Sequence, residues 1–347
     1  MLSGRPPVVS AACGPGEDAG VKALVVRAFG AAPQVETVAD PTPTPDGVVV
    51  RVAATGVCRS DWHAWQGHDD GVRLPFVPGH ELAGTVVAVG AQVGAHWMGR
   101  RVTTPFVCAC GTCAACRAGE QQVCVRQEQP GFTHDGSYAE LVALRHAEVN
   151  LVELPEGVPA DLGALLGCRV ATAWRAVHHR GRVQAGETLV VHGCGGLGLA
   201  AVAVAAAAGA HVVAVDPSAG ARALAMQMGA AEALSSADDI HRAHVSLDCA
   251  GLAVSAAASI RCLGVRGRHV QVGLLPGGAA LPVDLVVARE LDVLGSHGAP
   301  AHAYPGLLAA LPSLGLDRLI TRRASLDDAA QALAEVGRAP GITVLQP

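Results

Sequence analysis

The chain has 347 residues, enough for about two domains, and half of them are hydrophobic, with a mean hydropathy of +0.35. This composition excludes a largely disordered chain. A net charge of −5, without a long run of like charges, argues against a nucleic-acid partner. The chain contains a single lysine, Lys22, which argues against lysine-based catalysis.

The first two regions of the chain differ in pattern. Residues 1–20 are rich in Pro, Gly and Ser and lack the basic start and apolar run of a signal peptide, so we interpret them as a disordered extension of a cytoplasmic protein, or as upstream sequence included through a wrongly assigned start codon. From 21 to about 168, short Val-rich runs broken by Gly and Pro predict an irregular β-rich domain. Its predicted strands include Val21–Val26, Gly47–Ala53 and Leu82–Val89.

From about 169 to 298, apolar strands alternate with Ala-rich helices, which predicts a doubly wound parallel sheet with helices on both faces. The predicted strands are Thr188–His192, His211–Val215, Val245–Asp248, His269–Val272 and Leu291–Leu294. The apolar stretch Leu197–Val215 approaches the length of a membrane span. Its Ala-rich composition and its position between a Gly-rich loop and an Asp favour a buried helix followed by a buried strand.

The end of the chain returns to a different pattern. A helix is predicted near Ser325–Gly337 and a short strand at Ile342–Leu345. The predicted α/β architecture is therefore one β-rich domain made of residues 21–168 plus 299–347, with residues 169–298 inserted as a second domain.

Four cysteines within one short loop follow the pattern Cys-x2-Cys-x2-Cys-x7-Cys: Cys110, Cys113, Cys116 and Cys124. Four thiolates close a tetrahedral shell around Zn²⁺ and leave no open position, so the pattern predicts a structural zinc. A disulfide pair or an iron–sulfur cluster are the alternatives, but the spacing and the absence of an export signal favour zinc. Cys108 is a fifth thiol outside this spacing.

Three more candidate metal ligands come from distant segments: Cys58, His80 and Cys168. Two cysteines and one histidine leave the fourth position of Zn²⁺ free, which is typical of a catalytic site. An alcohol or a carbonyl group could take that position and be polarised there. A single Cys or His would more often be structural, so the prediction depends on the set of three beside the four-cysteine loop.

A Gly-rich loop, Gly193-Cys194-Gly195-Gly196-Leu197-Gly198, follows a predicted strand and opens a predicted helix. A GxGxxG motif alone is weak evidence, but this context is typical of a Rossmann dinucleotide-binding domain. The glycines allow a tight turn, and N–H groups at the helix N-terminus bind the pyrophosphate. Asp216 ends the next predicted strand, where a carboxylate would bond the adenosine ribose and repel a 2′-phosphate, which favours NAD over NADP.

These motifs together resemble the zinc-containing medium-chain dehydrogenase/reductase family, the group of liver and bacterial alcohol dehydrogenases. The run Gly79-His80-Glu81-Leu82-Ala83-Gly84 resembles its zinc signature, and the resemblance covers nearly all of residues 21–347. It implies a GroES-like catalytic domain with an inserted Rossmann domain, a catalytic and a structural zinc, and NAD. It also implies a cytoplasmic homodimer or homotetramer that acts on a small-molecule alcohol or carbonyl compound, without a membrane or nucleic-acid partner.

The resemblance implies roles for single residues around the catalytic zinc. Cys58, His80 and Cys168 correspond to its ligands, and Glu81 to a residue that approaches the metal during ligand exchange. Asp61 corresponds to a carboxylate that orients the histidine ligand. Ser60 and His63 correspond to a relay that carries the substrate proton to solvent; an ordinary surface histidine is the alternative for His63.

Other residues correspond to cofactor and substrate contacts. Arg59 matches a residue that contacts the cofactor pyrophosphate. Thr172 and Leu197 match residues near the nicotinamide, with ordinary core packing as the alternative. The mouth between the two domains is matched by Gly273, Leu274 and His297. Phe106 is expected to wall the pocket, and Trp62 and Trp65 to narrow it, which suits a small or medium apolar alcohol.

Two departures from the family pattern and four rival functions stay open. Ala221 stands where the family often has Lys or Arg, with Arg222 adjacent, and the segment 229–245 is shorter than in many relatives, which is expected to alter a surface or subunit contact. The rivals within the family are polyol, amino-alcohol and thiol-adduct dehydrogenases. The rival from another class is a non-catalytic NAD-binding protein.

Overall fold

The structure is a computed structural model that describes residues 20–275 and 277–347. The predicted extension at residues 1–20 therefore lies, apart from Gly20, outside the described residues. Within the described part of the chain, no helix has both the length and the apolar character needed to cross a membrane. The stretch Leu197–Val215 forms a helix followed by a strand, as predicted.

The described residues contain fifteen β-strands. In chain order, β1 to β15 are Val21–Val25, Gln34–Val38, Val48–Gly56, Leu82–Val89, Arg101–Thr103, Leu141–Leu144, Val152–Glu153, Thr188–His192, His211–Val215, Glu232–Leu234, Ala243–Asp248, Leu263–Gln271, Asp292–Gly295, Ile320–Ser325 and Ile342–Gln346.

The same residues contain eleven α-helices. In chain order, α1 to α11 are Arg59–Trp65, Ala114–Arg117, Ala147–Asn150, Ala160–Leu165, Arg169–Trp174, Gly196–Ala207, Ala219–Gln227, Ala253–Arg261, Val283–Ala288, Tyr304–Leu314 and Ala329–Glu335. The helix predicted at Ser325–Gly337 is shorter than expected, because a 3₁₀ turn at Leu326–Asp328 precedes α11.

The six-stranded sheet has the order β10-β9-β8-β11-β12-β13, and all of its pairs are parallel. This is the doubly wound order, in which the chain first adds strands on one side of β8 and then on the other. The predicted parallel sheet is confirmed. Because the order reverses between β8 and β11, a crevice at the carboxyl ends of these two strands is the expected ligand position.

The seven-stranded sheet brings the two ends of the chain together. Its order is β14-β15-β3-β4-β5-β7, and β6 also pairs with β3. The pair between β15 and β3 is antiparallel, with Val344 opposite Gly56. A mixed fold with a β-rich part built from both chain ends is therefore the fold that was expected, and β3 and β4 carry into it the segments around Cys58 and His80.

The largest hydrophobic core lies around α6. This helix is mostly Ala, Val and Leu, and its residues 198–205 are buried because the parallel sheet packs on one side and α5 and α10 on another. Small side chains allow these elements to approach closely. The packing holds the N-terminus of α6 at the carboxyl end of β8, directly beside α5.

Candidate active site

The cysteines and the histidine predicted for the open metal site come together. Cys58 follows β3 and is the N-cap residue of α1, His80 lies just before β4, and Cys168 is the N-cap residue of α5. One sulfur or nitrogen atom of each lies within 4.8 Å of the others. We call these three residues the open cluster. Cys58 and His80 are buried and Cys168 is half-buried, so the cluster is not completely closed.

The carboxylate of Asp61 holds the open cluster in position. Its Oδ1 accepts hydrogen bonds from His80 Nδ1 at 2.8 Å and from Gly79 N at 3.1 Å. Its Oδ2 accepts from Cys58 N at 3.0 Å and from the Tyr138 hydroxyl at 2.9 Å. Because Nδ1 of His80 faces Asp61, Nε2 is the nitrogen left for a metal. Sequence reasoning misses Tyr138, because it lies 77 positions from Asp61 and no motif marks it.

The donor atoms of the open cluster fit a zinc ion. Nε2 of His80 is buried and has no hydrogen-bond partner among the described residues, which is costly for a polar atom unless it binds something. A hydrogen bond from the Cys168 thiol lowers the pKa of Cys58 well below its usual value, and the same bond raises the pKa of Cys168. Two thiols and one imidazole form the three-ligand set of a catalytic zinc with one open position.

Glu81, whose approach to the metal during ligand exchange stays a prediction, is paired with Arg169. Arg169 donates to Glu81 Oε1 from Nε at 2.9 Å and from its backbone N–H at 2.8 Å. Both side chains are buried, and Arg169 Nη1 also donates to Val57 O at 3.1 Å. The guanidinium next to the cluster therefore satisfies this carboxylate, and Glu81 is not among the residues of the open cluster.

The residues of the predicted proton relay lie on α1. Ser60 Oγ lies 3.8 Å from Cys58 Sγ, and His63 shares a hydrogen bond of 3.0 Å with His68 between their Nδ1 atoms. Burial, with Arg59 and His68, lowers the pKa of His63, so this imidazole is neutral at pH 7 and can both accept and donate a proton. Within the described residues no hydrogen bond joins Ser60 to His63, and the relay stays a prediction.

Aromatic rings cover the histidine of the open cluster. Phe106 and Phe132 pack edge-on against His80, with ring centroids 6.1 and 5.5 Å away. His297 packs edge-on against Phe106 at 5.1 Å, and its Nδ1 lies 2.9 Å from Gln122 O. Phe106 therefore lies beside the open cluster, and its role as a pocket wall stays a prediction. Phe132 is a second ring against His80 that the sequence does not reveal, since it belongs to no metal or cofactor motif.

Trp65 does not narrow the site, contrary to expectation. It is buried in a separate core, and its Nε1 donates to Ala31 O at 2.6 Å. The helical repeat of α1 explains this, because Trp65 lies on the face of the helix that packs inward. Trp62 is half-buried and lies under the guanidinium of Arg59 at 4.4 Å, while Arg59 Nη1 donates to Val336 O at 3.3 Å.

The four-cysteine loop closes on itself. Its Sγ–Sγ distances are 3.4 Å for Cys113–Cys116, 3.5 Å for Cys110–Cys124, 3.7 Å for Cys113–Cys124 and 4.0 Å for Cys110–Cys116. A tetrahedron with Zn–S bonds of about 2.3 Å has edges of about 3.8 Å, so the loop fits a zinc ion. The ten cysteines that the structure describes are free thiols, which does not match the disulfide alternative. Burial raises the pKa of the fifth thiol, Cys108, to about 12.

Backbone amides stabilise thiolates in this loop. N–H groups of Cys110 and Arg126 donate to Cys124 Sγ at 3.4 and 3.3 Å. Burial opposes ionisation of Cys110, but the N–H groups of Thr112 and Cys113 outweigh it and lower the pKa of this thiol to about 5. A short loop that directs N–H groups at its own sulfurs is suited to holding a metal without access for a substrate.

The Gly-rich loop links β8 to α6. Gly193 has φ +89°, and a Cβ on Gly198 would lie 1.8 Å from Gly193 O, so a side chain is excluded where the helix starts against the strand. A Cβ on Gly195 would meet nothing within 4 Å. Gly196 begins the helix and Leu197 packs half-buried on the core. An open face beside the free N–H groups of α6 fits a pyrophosphate.

Asp216 follows β9 and lies against this loop. Its carboxylate accepts from Cys194 N and from Ser218 N, both at 2.8 Å. Arg222 Nη1 donates to the backbone oxygens of Asp216 and Pro217, also at 2.8 Å each. The carboxylate is thus fixed at the loop where a ribose is expected, and Arg222, rather than a residue at Ala221, places a cation at the same turn.

The other residues predicted near the nicotinamide lie on α5 and directly after β12. Thr172 Oγ1 on α5 is buried and has no hydrogen-bond partner among the described residues. A Cβ on Gly273 would lie 2.4 Å from Gly251 N, and Gln271 Nε2 donates to Gly273 O at 2.7 Å. Leu274 is 78% exposed, so its side chain is accessible to a ligand. The nicotinamide contacts themselves stay a prediction.

Comparison with known proteins adds the context for this geometry. Residues 44–156 match the alcohol dehydrogenase GroES-like domain, and residues 196–313 match the zinc-binding dehydrogenase domain. An alcohol dehydrogenase of Rhizobium meliloti (strain 1021) is 36% identical over 79% of this chain and 83% of its own length. The D-arabitol-phosphate dehydrogenase of Enterococcus avium is 28% identical over 88% of this chain and 91% of its own. A zinc-binding dehydrogenase from Sinorhizobium meliloti 1021, solved with NADP bound, matches with a TM-score of 0.86 and 30% identity, covering 95% of this chain and 100% of that one.

Proposed function

This chain belongs to the zinc-containing medium-chain dehydrogenase/reductase family, and we propose that it interconverts an alcohol and an aldehyde or ketone by hydride transfer to NAD. The observation that carries the proposal is the open cluster with its unpartnered, buried imidazole nitrogen. We assign Cys58, His80 and Cys168 to a catalytic zinc and the four-cysteine loop to a structural zinc. When bound at the open cluster, zinc supplies Lewis acidity toward the substrate oxygen.

The protein side chains supply position and proton transfer. Asp61 fixes the orientation of His80, and Phe106 with Phe132 excludes water from the covered side of the cluster. Ser60, next to Cys58, is the proposed acceptor of the substrate hydroxyl proton, and His63 passes that proton toward solvent. Arg169 directly follows Cys168, so its buried pair with Glu81 fixes the third segment of the cluster.

We propose NAD as the cofactor, held by the Gly-rich loop. The fixed carboxylate of Asp216 supports this assignment, since it would bond two ribose hydroxyls and repel a 2′-phosphate. Arg222 at the same turn and the NADP in the Sinorhizobium relative make NADP the specific alternative. Replacing Asp216→Ser should lower kcat/KM for NAD by roughly tenfold, about the effect of one charged hydrogen bond, and leave that for NADP unchanged or raised.

The proposed assembly is a homo-oligomer in the cytoplasm. β13 is the edge strand of the parallel sheet, and Val293 on it and Val283 and Val287 on α9 are exposed. Pairing of β13 with a second copy would extend the sheet and cover these side chains. Free thiols and thiolate ligands suit a reducing compartment. Light scattering of wild type and Val293→Lys tests the interface, with a smaller mass expected for the variant.

The deciding experiment is formation of NADH from NAD, and in parallel of NADPH from NADP, by purified protein across primary, secondary, aromatic, polyhydroxy and amino alcohols. Cys58→Ala should abolish turnover, while Cys262→Ala, which removes a buried thiol of the cofactor domain, should retain it. If only polyols or only amino alcohols were turned over, that class would become the proposed substrate in place of simple alcohols. A wild-type protein that binds zinc and NAD but turns over no member of the panel would contradict the proposed reaction on these substrates.

A further inference from the structure

A second cleft lies at the edge of the parallel sheet opposite the Gly-rich loop. Its volume is about 460 Å³, and Glu187, Arg242, His244, Val265, Arg266 and Arg268 are among its lining residues. These residues lie at the amino ends of β8, β11 and β12, whereas the Gly-rich loop follows the carboxyl end of β8. The length of a five-residue strand, about 16 Å, therefore separates the two sites.

Positive charge exceeds negative charge on the walls of this cleft, with three arginines and one glutamate. Arg268 Nη2 donates to both oxygens of Glu187 at 2.6 Å, yet its Nε is buried without a hydrogen-bond partner among the described residues. Arg266 pairs at 3.0 Å with Glu290, and both side chains are about three-quarters exposed. The described ion pairs of this edge do not use Arg242. The exposed guanidinium of Arg242 is thus available to an anion, while the buried Nε of Arg268 is left without a partner in the wall behind it.

The backbone of this cleft is strained at two of its arginines. Arg242 has φ +66° and Arg266 has φ +58°, in the left-handed region that residues with a Cβ disfavour. Glycine would adopt these angles without cost, so the arginines hold positions where stability alone would favour another residue. Strain of this kind concentrates at ligand sites, where side-chain chemistry outweighs local backbone preference.

A neighbouring histidine adds a donor of defined orientation. His244 Nδ1 lies 3.0 Å from the backbone N–H of Thr188, which can only donate. Nδ1 is therefore the acceptor, and Nε2 carries the proton of the neutral ring. Val265, 76% exposed, adds an apolar surface to the same wall.

We propose that this cleft binds a phosphate-bearing small molecule, at a site distinct from the dinucleotide crevice. Planar guanidinium groups and an imidazole N–H match the several acceptor oxygens of a phosphate. The volume exceeds that of one phosphate and falls within the range of small-ligand pockets, so the organic part of the ligand packs against Val265. This site does not depend on the proposed reaction.

The test uses inorganic pyrophosphate as the probe and isothermal titration calorimetry as the readout. Arg242→Gly removes the free guanidinium and also relieves the left-handed backbone, so binding should weaken at least about tenfold, the effect of losing one charged hydrogen bond, while Tm stays equal or rises. Arg182→Gly is the matched control: Arg182 has φ +50° and an exposed ion pair with Asp292, but it does not line the cleft.

Three outcomes would overturn the proposal. In the first, Arg242→Gly and Arg182→Gly weaken pyrophosphate binding equally. In the second, wild type binds pyrophosphate and Arg242→Gly binds it with the same affinity. In the third, wild type does not bind pyrophosphate. The second outcome would place the anion elsewhere, including at the Gly-rich loop. Dehydrogenase activity of Arg242→Gly is measured separately and should equal that of wild type, so failure of the proposed reaction cannot be mistaken for failure of this site.

Discussion

The two cysteine sites of this chain are built in opposite ways. The four-cysteine loop takes all its sulfurs from residues 110–124 and surrounds them with its own backbone N–H groups. The open cluster takes one atom from each of three distant segments, and a buried carboxylate holds it together. The geometry of the four-cysteine loop therefore depends on one short segment, whereas the geometry of the open cluster depends on the whole fold.

Because the two sites are built differently, we expect the four-cysteine loop to contribute to stability and the open cluster to contribute to catalysis. A closed shell of four thiolates satisfies its metal and leaves no position for a substrate, so its binding energy contributes to folding. Three donors leave one position open, and their geometry depends on Asp61 and on packing between β3, β4 and α5. Substitutions in the two sites should therefore be distinguishable by measuring activity, zinc content and stability on the same samples.

The largest expected effect is on activity at the open cluster. Cys168→Ser removes one of the three donors, and kcat/KM should fall roughly a thousandfold, since metal polarisation is worth several kcal/mol. Zinc content should fall from two ions to one per chain, while Tm changes little. Atomic absorption and thermal denaturation on the same preparation check this. A variant that keeps both ions and full activity would remove Cys168 from the proposed ligand set.

The opposite pattern is expected in the four-cysteine loop. Cys116→Ser opens the shell, so the protein should lose one zinc and roughly 3 kcal/mol of unfolding free energy, because the binding energy of a structural zinc is folding energy. Activity per folded molecule should remain within a fewfold of wild type. Chemical denaturation and single-turnover assays measure the two quantities.

The matched control for this loop is Cys108→Ser. Cys108 is a buried thiol next to the loop, hydrogen-bonded with Thr104 and outside the four. This variant should retain both zinc ions. If it lost zinc as Cys116→Ser is expected to, the effect would reflect loss of any buried thiol here rather than loss of a ligand.

A smaller effect is expected where a positioning group is changed and the ligands are kept. Asp61→Asn preserves the shape of the side chain but removes the charge that faces His80, so zinc affinity at the open cluster should fall about 10- to 100-fold. Competition with a chelator measures this. Asp135→Asn is the control, because Asp135 accepts from Val77 N at 3.0 Å without contact with the cluster.

The comparison also explains how much the sequence could predict. Spacing within one loop, and a strand–loop–helix with its glycines, are local features, so the four-cysteine loop and five of the six parallel strands follow directly from the pattern, whereas the short strand β10 was not predicted. The meeting of Cys58, His80 and Cys168 follows from no spacing; it was expected because the three residue types form the ligand set of a catalytic zinc and, beside the four-cysteine loop, resemble a known family. What joins them in space is the pairing of β3 with β4 and the packing of α4 and α5 against these strands.

Contacts between side chains of distant segments were the least predictable. Arg169 forms an ion pair with the carboxylate of Glu81, because a buried charge needs a partner of opposite charge. The sequence does not show that both side chains are buried. Trp65 was expected near the substrate, but the helical repeat directs it into a core. Phe132 and Tyr138 reach the cluster from a loop without any chemical motif, so only the fold reveals them.

The smallest effect tests whether the fold tunes the open cluster through a residue that no motif marks. Burial and the charge of Asp61 raise the pKa of Tyr138, so its hydroxyl stays protonated and donates to that carboxylate. Tyr138→Phe should speed zinc release to a chelator by about fivefold, the equivalent of roughly 1 kcal/mol for one hydrogen bond, and should shift the absorption of the cobalt-substituted site.

Tyr304→Phe is the control, since Tyr304 is equally buried but donates to Leu166 O at 2.8 Å. Both variants should lose similar stability because each loses one buried hydrogen bond, so faster metal release in Tyr138→Phe alone would show that the hydroxyl acts on zinc through Asp61. Equal release rates in the two variants would reduce Tyr138 to a packing residue.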